Sequence, residues 1–329
     1  MTGVQTCALP IFPAFRTTAG AAFASLTDTE CVSIAIDGAP VVAVHPKASL
    51  RPASNVKLFT AAVALDVLGA DTTLHTDVRG QVANGVVNGD LYLVGGGDPV
   101  LSSAWWHGAN PAEAPFNTTS IEALAKRVKQ AGVTKVEGNI VGDASRYDDE
   151  WYPPSWSKGV RFTEGGPVSA LLVNDSRERP DKASADPSAG AAIVFAAALR
   201  DAGVQVVGHG VSGTAPAGTA SIAGIDSHPI RDLVAEMLTT SDNTTAELLL
   251  KEIGRVGKQR GTRDDGIAAM LQRLTSWGVP LDGVEFHDGS GLSDDNRTTC
   301  AAIGALLDRY SLDDPLVAGL PVAGATGGT

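Results

Sequence analysis

The sequence predicts an α+β or α/β enzyme-like body. One reason is composition: aromatic residues make up 5% of the 329, and segments of helical period alternate with β-branched runs. A second is that "CVSIAIDGAPVVAVHP" reads as a hairpin, with strands over Cys31 to Ile36 and Val41 to His45 and a turn around Asp37, Gly38 and Pro40. A third is a plan that occurs three times, an apolar-periodic helix, a Gly-Val step and then a strand, in "IEALAKRVKQAGVTKVEGNIVG", "AAIVFAAALRDAGVQVVGHGV" and "IAAMLQRLTSWGVPLDGVEFH". Gly132, Gly203 and Gly278 stand where a left-handed residue closes each helix. The spacing between these units is uneven, so they do not form a solenoid.

The remaining segments fit between these. After the hairpin, apolar residues recur at helical spacing from Leu58 to Leu68, which predicts a helix starting near Ser54 and closed at Gly69. A β-rich passage follows, punctuated by Asn84-Gly85 and Asn88-Gly89. Its Gly95 to Gly97 run is followed by no lysine-bearing helix, so it reads as a turn rather than a phosphate cradle. The Pro-, Gly- and Trp-rich stretch from Tyr147 to Pro180 reads as an irregular surface or a domain junction.

Charge and length narrow the function classes. A net charge of -12 argues against a nucleic-acid partner, because phosphate neutralisation needs clustered Lys and Arg. No apolar run reaches the eighteen or so residues of a transmembrane helix. The opening "MTGVQTCALPIF" has no basic flank and is broken by Pro10, so it is a poor signal peptide. Residues 1-14 read as an atypical, non-native start. The three cysteines, Cys7, Cys31 and Cys300, form no cluster, and the six histidines stand singly, so no metal site and no cofactor is expected.

The chemistry centres on "RPASNVKLFTAAVALDVLGAD". Ser54 and Lys57 stand at i and i+3 on the opening turn of a helix, so their side chains project together. A lysine whose pKa is lowered by burial can take a proton from a serine hydroxyl and make it a nucleophile. On this segment alone the commoner reading is a different one: Ser54 as an N-cap and Lys57 as a solvated first-turn residue. Ser-x-x-Lys is a weak pattern, and a second copy occurs at Ser155 and Lys158. There the prolines before Ser155 and the glycine after Lys158 oppose a helix. A further cluster, Ser241-Asp242-Asn243 in "MLTTSDNTTAELLLKEIG", lies between two apolar-periodic segments, where it could be a capped turn or a second serine and an amide offered to a substrate. Ser-x-x-Lys followed by Ser-x-Asn is the order found in penicillin-binding proteins and active-serine β-lactamases.

With these motifs and "LYLVGGGDPVL", "GPVSALLVND", "DGSGLSDDNRTT" and "LPVAG" in order, the chain resembles the serine D-alanyl-D-alanine carboxypeptidase/endopeptidase family, the low-molecular-mass penicillin-binding proteins with inserted domains. The resemblance runs from about Cys31 to the end. It implies an α+β, β-lactamase-like peptidase domain, an antiparallel sheet flanked by helices, over residues 15-75 and 225-329, with inserted α/β subdomains over 76-224. It implies that Ser54 attacks a terminal D-Ala-D-Ala bond in peptidoglycan stem peptides and that Lys57 takes its proton. Ser241 would relay a proton to the leaving amine, and Asn243 would hold the peptide or Lys57. Asp242 would join Asn243 in substrate binding. β-Lactam antibiotics would be inhibitors, and the protein would act outside the cytoplasmic membrane, where a Cys31-Cys300 bridge could persist; two buried free cysteines are the alternative. A β-lactamase is the enzyme runner-up, but no Glu-x-x-Leu-Asn follows Asn243. A wall-peptide or drug-binding module without turnover is the non-enzymatic alternative. The family's Lys-Thr-Gly strand has no counterpart after Asn243, the nearest imitation being His287-Asp288-Gly289. The resemblance therefore implies a chain truncated at both ends and catalytically impaired.

Overall fold

A computed structural model describes residues 11–36, 38–109, 115–161, 163–322 and 324. Most of the atypical start, the predicted turn residue Asp37 and most of the closing glycine-rich run lie outside them.

The chain opens with helix α1 (Ile11–Ala22) and the expected hairpin, β1 (Val32–Ile36) antiparallel to β2 (Ala39–Val44). A 3₁₀ turn over Ala53–Asn55 leads into helix α2 (Val56–Ala64), whose last turn continues as a π-helical segment, Leu65–Gly69. The chain then enters a five-stranded sheet at β3 (His75–Arg79), adds β4 (Leu91–Val94), crosses helix α3 (Ile121–Gln130) to β5 (Ile140–Asp143), and crosses helix α4 (Pro187–Asp201) to β6 (Gly210–Ser212). It leaves along β7 (Ser221–Asp226). The strand order is β6-β5-β4-β3-β7, with β4, β5 and β6 parallel and β3 antiparallel to both neighbours. Entry and exit strands therefore lie side by side, as a segment spliced into another body requires. Five helices follow among the described residues: α5 (Ile230–Thr240), α6 (Asn243–Lys258), α7 (Arg263–Ser276), α8 (Cys300–Leu307) and the short α9 (Pro315–Ala318).

Two hydrophobic cores follow from this path. In the first, Val56, Phe59 and Val63 of α2 pack with Leu233 and Met237 of α5, Leu249 and Ile253 of α6, and Met270 and Leu274 of α7. In the second, Val78, Leu91, Leu93 and Ile140 of the sheet pack with Leu124 and Val128 of α3 and Phe195 and Leu199 of α4. Each fully buried Phe or Leu contributes about 1.5–3 kcal/mol by leaving water.

Two of the three helix-Gly-Val-strand units form as the sequence predicts. Gly132 and Gly203 take φ of 92° and 81°, and the strands Lys135–Val136 and Gln205–Val206 pair in parallel. The third does not. Gly278 has φ 75°, but beyond it only an isolated bridge, Glu285 to Arg297, forms. Pro280 removes a ladder donor there, and a turn from Leu281 to Val284 with Gly283 at φ 77° bends the chain away. Among the described residues before 75 and after 226, the hairpin β1–β2 is the only sheet.

The two ends of the chain are sewn together. Leu50 and Thr298 exchange both backbone hydrogen bonds at 2.9 Å, and Cys31 is bridged to Cys300 with their Cα atoms 6.0 Å apart. The disulfide ties the start of β1 to the start of α8.

Candidate active site

The question raised by Ser54 and Lys57 turns on what the serine hydroxyl binds. Neither the 3₁₀ turn nor α2 has a side-chain cap. Instead Ser54 Oγ receives hydrogen bonds from Lys57 Nζ at 3.2 Å and from Ser241 Oγ at 2.9 Å. The N-cap reading is thereby replaced by a hydroxyl facing an amine and a second hydroxyl. Ser54 is exposed to the cleft while Lys57 is 1% exposed. Ala53, just before the serine, has φ of 47°, an uncommon conformation for a residue with a side chain. The loop below fits that bend: a Cβ at Gly291 would come within 1.9 Å of the Ala53 carbonyl oxygen, so only glycine permits this approach.

Lys57 Nζ also donates to Asn243 Oδ1 at 2.6 Å and to the Ser290 carbonyl at 2.8 Å. Burial pushes its pKa down to about 8, against the opposing pull of Asp242, Glu247 and Asp288. The lysine is thus near the protonation balance a base needs at neutral pH.

Ser241 and Asn243 reach the site through one tight link between helices. Ser241 ends α5 in the left-handed region, φ 58° and ψ 34°. Asp242 then caps α6, accepting from Thr244 N at 2.9 Å and from Thr245 Oγ1. The link turns Ser241 toward Ser54 and places Asn243 at the first turn of α6. Both ends of the Asn243 amide are engaged, Oδ1 by Lys57 and Nδ2 by the Glu164 carbonyl at 2.6 Å. Asp242, expected to bind substrate, caps the helix and also lines the cleft.

These groups open into a cleft of about 780 Å³, lined near the serine by Glu164, Gly165 and Leu292 and further out by Asp175, Pro115 and Trp106. The Arg177 guanidinium lies 5.8 Å over the Trp106 ring. The floor is a loop held by Asp288. Its Oδ1 accepts from Gly291 N and Asn296 Nδ2, and its Oδ2 from Ser293 N and Trp156 Nε1, at 2.6 to 2.9 Å. The Glu236 carboxylate accepts from Phe116 N and Asn117 N at 2.8 and 2.9 Å, fastening another loop to α5. Burial raises the Glu236 pKa.

Other sequence candidates fall elsewhere. The hydroxyl of Ser155 is buried without a partner among the described residues, and Lys158 is exposed, so that pair forms no site. His287 Nε2 lies 2.9 Å from Glu285 Oε1, away from the cleft lining. In the Gly95 to Gly97 turn, Gly95 N and Gly97 N donate to Asp143 and Ala170 carbonyls, so they are not turned toward a phosphate. Sequence reasoning missed Glu164, Glu247 and Trp156. The periodicity of α6 could have flagged Glu247, since it stands one turn after Asn243 on the buried side.

No group of three or more His, Cys, Asp or Glu among the described residues could hold a metal. No helix among them is long and apolar enough to cross a membrane.

Comparison with known proteins gives a consistent set of relatives. A carboxypeptidase of Mycobacterium tuberculosis is 30% identical over 84% of this chain and 60% of its own length. A D-alanyl-D-alanine carboxypeptidase of an Actinomadura species is 29% identical over 84% of this chain and 63% of its own. The chain thus spans about three fifths of the length of the curated relatives it matches. The fold is shared with penicillin binding protein 4 from Haemophilus influenzae, with a TM-score of 0.78 and 19% identity over 95% of this chain and 82% of that one. The profile of the D-Ala-D-Ala carboxypeptidase 3 (S13) family matches residues 29–181 and 178–329, and with the relatives above this establishes that the chain belongs to that family.

Proposed function

We propose that this chain acts as a serine D-Ala-D-Ala carboxypeptidase/endopeptidase on peptidoglycan stem peptides, with Ser54 as nucleophile. The observation that carries the reading is the meeting of Ser54 with Lys57 and Ser241 across 187 residues of sequence, with Asn243 on the lysine. In its free-base form Lys57 removes the Ser54 proton as Oγ attacks the carbonyl carbon of the terminal D-Ala-D-Ala bond. The Ser54 N–H, at the start of the helical turn, is one donor to the developing oxyanion. As the C–N bond breaks, the proton passes from Lys57 through Ser241 to the departing amine, leaving an ester on Ser54. Water then releases the acyl group. Asn243 keeps Lys57 in place, and Asp242 acts by fixing the α5–α6 link.

Residues 15-75 and 225-329 form the peptidase domain in this reading, and 76-224 the inserted subdomains, in keeping with the separate cores and the adjacent entry and exit strands. β-Lactams are the expected inhibitors, a partner class supported by the complex of a β-lactam with the Haemophilus influenzae penicillin binding protein 4. An extracytoplasmic location fits both the wall substrate and the Cys31–Cys300 bridge. Labelling with a fluorescent penicillin tests the site: it should vanish in Ser54→Ala and persist in Ser155→Ala. Labelling that survives in Ser54→Ala removes the nucleophile. Release of D-Ala from a stem pentapeptide separates an enzyme from a module that only binds.

A further inference from the structure

Beneath the reacting groups lies a carboxylate that the mechanism above does not use. Glu247 is 2% exposed and lies one turn beyond Asn243 on α6. Its Oε1 accepts hydrogen bonds from two successive backbone donors, Gly289 N at 2.9 Å and Ser290 N at 2.8 Å. The same short segment presents its carbonyls to α2: the Gly289 oxygen accepts from Thr60 Oγ1 at 2.7 Å, and the Ser290 oxygen from Lys57 Nζ at 2.8 Å. One residue on, Gly291 packs against the Ala53–Ser54 peptide.

We propose that Glu247 is a positioning residue for the reaction: by pinning the Gly289 and Ser290 amides it holds the Ser290 carbonyl on Lys57, and so fixes how deeply the base sits and how readily it gives up its proton. The proposal rests on the assignment of Lys57 as the base.

A Ser290 carbonyl held on Nζ stabilises the ammonium form, as do the nearby carboxylates of Asp242, Glu247 and Asp288. Burial opposes them. Glu247 itself faces Asp288 and, at longer range, Arg263. Burial and Asp288 raise the Glu247 pKa to about 8, while the Ser290 hydroxyl and the two backbone donors pull it down. Because both amides converge on a single oxygen, a glutamine at 247 can still accept both bonds through its carbonyl. A leucine of similar volume cannot, and it leaves two buried N–H groups without an acceptor. The pair Glu247→Gln and Glu247→Leu therefore separates the hydrogen-bonding geometry from the charge.

The experiment measures the second-order rate of penicillin acylation against pH for the parent, E247Q and E247L, with Ser54→Ala as the check on the underlying assignment and Leu274→Ala, a core truncation in α7, as a stability control. In E247L the rate at neutral pH should fall by about a hundredfold or more, and the acid limb should move to lower pH because the ammonium has lost a fixed acceptor. In E247Q the fall should stay below about tenfold. Leu274→Ala should lower the melting temperature without moving the limb. If E247Q is as slow as E247L, the charge and not the pinned carbonyl is what matters, and the proposal fails. It also fails if E247L keeps the parent rate and limb while Ser54→Ala is dead. Labelling of Ser54→Ala would instead overturn the assignment on which it rests. Should E247L not fold, the nitrogen-15 shift and titration of the Lys57 amine in E247Q decide: a titration retained within about half a unit of the parent supports the pinned carbonyl, and a larger displacement overturns it.

Discussion

Beneath the cleft, Lys57, Asp288, Ser290 and Asn296 are all at 1% exposure or less, and they are hydrogen-bonded to one another, to the loop backbone and to the side chains of Ser54, Asn243 and Trp156. Between β3–β5 and the helices α3 and α4, the residues buried to the same degree are Val78, Leu91, Leu93, Leu124 and Phe195. Both interiors exclude water, and they use that exclusion differently. In the apolar core the absence of water is itself the stabilisation, and it needs no orientation. Under the cleft it weakens the ammonium of Lys57 and strengthens each hydrogen bond around it, so the polar groups have to be oriented and paired or they destabilise the fold. The same chain therefore has one interior that serves stability and one that, in the proposed reading, serves proton transfer. Substitutions should sort accordingly.

The largest expected effect lies on the polar side. Lys57→Met should lower the rate of penicillin acylation by about 10²–10⁴-fold, the usual range for loss of a general base. Stability should change by only about 2 kcal/mol or less, because removing a buried cation offsets the loss of a donor to its three acceptors. In the parent the rate should climb with pH up to about 8, since the free amine is the active form and burial has brought its pKa down from 10.5 to about 8. At pH 7 that makes about one molecule in ten competent, against about one in three thousand for an unshifted lysine. A rate that is flat from pH 6 to 9, or a Lys57→Met enzyme that acylates normally, would erase the distinction between the two interiors.

Phe195→Ala should show the converse pattern. Truncating this fully buried ring in α4 is expected to cost about 3–5 kcal/mol in a denaturant melt. Acylation per folded molecule should stay within about a factor of two, since the ring belongs to the second core and not to the cleft. A selective loss of acylation with normal stability would mean that the α/β segment shapes the site more directly than its packing shows. Reduction of Cys31–Cys300 comes next. The bridge closes a separation of 269 residues and ties β1 to α8, so its loss should cost about 2–4 kcal/mol, seen as a lower denaturation midpoint in reductant. A Cys31→Ser, Cys300→Ser protein as stable as the parent would contradict that.

How much of this was legible beforehand follows from the same contrast. That Ser54, Lys57, Ser241 and Asn243 would meet was readable because each sits at a helix boundary with a short-range signature: an i, i+3 pair at the start of α2 and a link between α5 and α6. The hairpin and two of the three helix-Gly-strand units were readable from periodicity and turn residues. The third strand was not, because Pro280 and the turn at Gly283 override an otherwise apolar run. The polar floor was also not legible. The bond from Trp156 to Asp288 spans 132 residues and that from Gly289 to Glu247 spans 42; periodicity can place Glu247 on the buried side of α6, but no local pattern says which distant loop its carboxylate accepts from. Asp242 is legible in part: its cap on α6 follows from local backbone chemistry, whereas substrate contact is implied by its place in the motif alone.

The smallest expected effect sharpens the contrast at the cleft's outer edge. Arg51 and Asp294 pair at 3.1 Å with side chains 63% and 80% exposed. The pair joins the segment before Ser54 to the loop after Gly291, so by position it resembles the buried bonds a few residues away. By environment it does not. In water the attraction is screened, and holding two long side chains together costs rotamer entropy, so exposed pairs contribute little. Arg51→Ala should therefore shift the melting temperature by no more than about 2 °C. It should leave the acylation rate within about twofold, and any difference should fade as salt is raised from 0.05 to about 0.5 M. A loss on the scale of Lys57→Met, insensitive to salt, would show that the rim of the loop is coupled to the base as tightly as its floor, and that burial is not what divides the working polar groups from the idle ones.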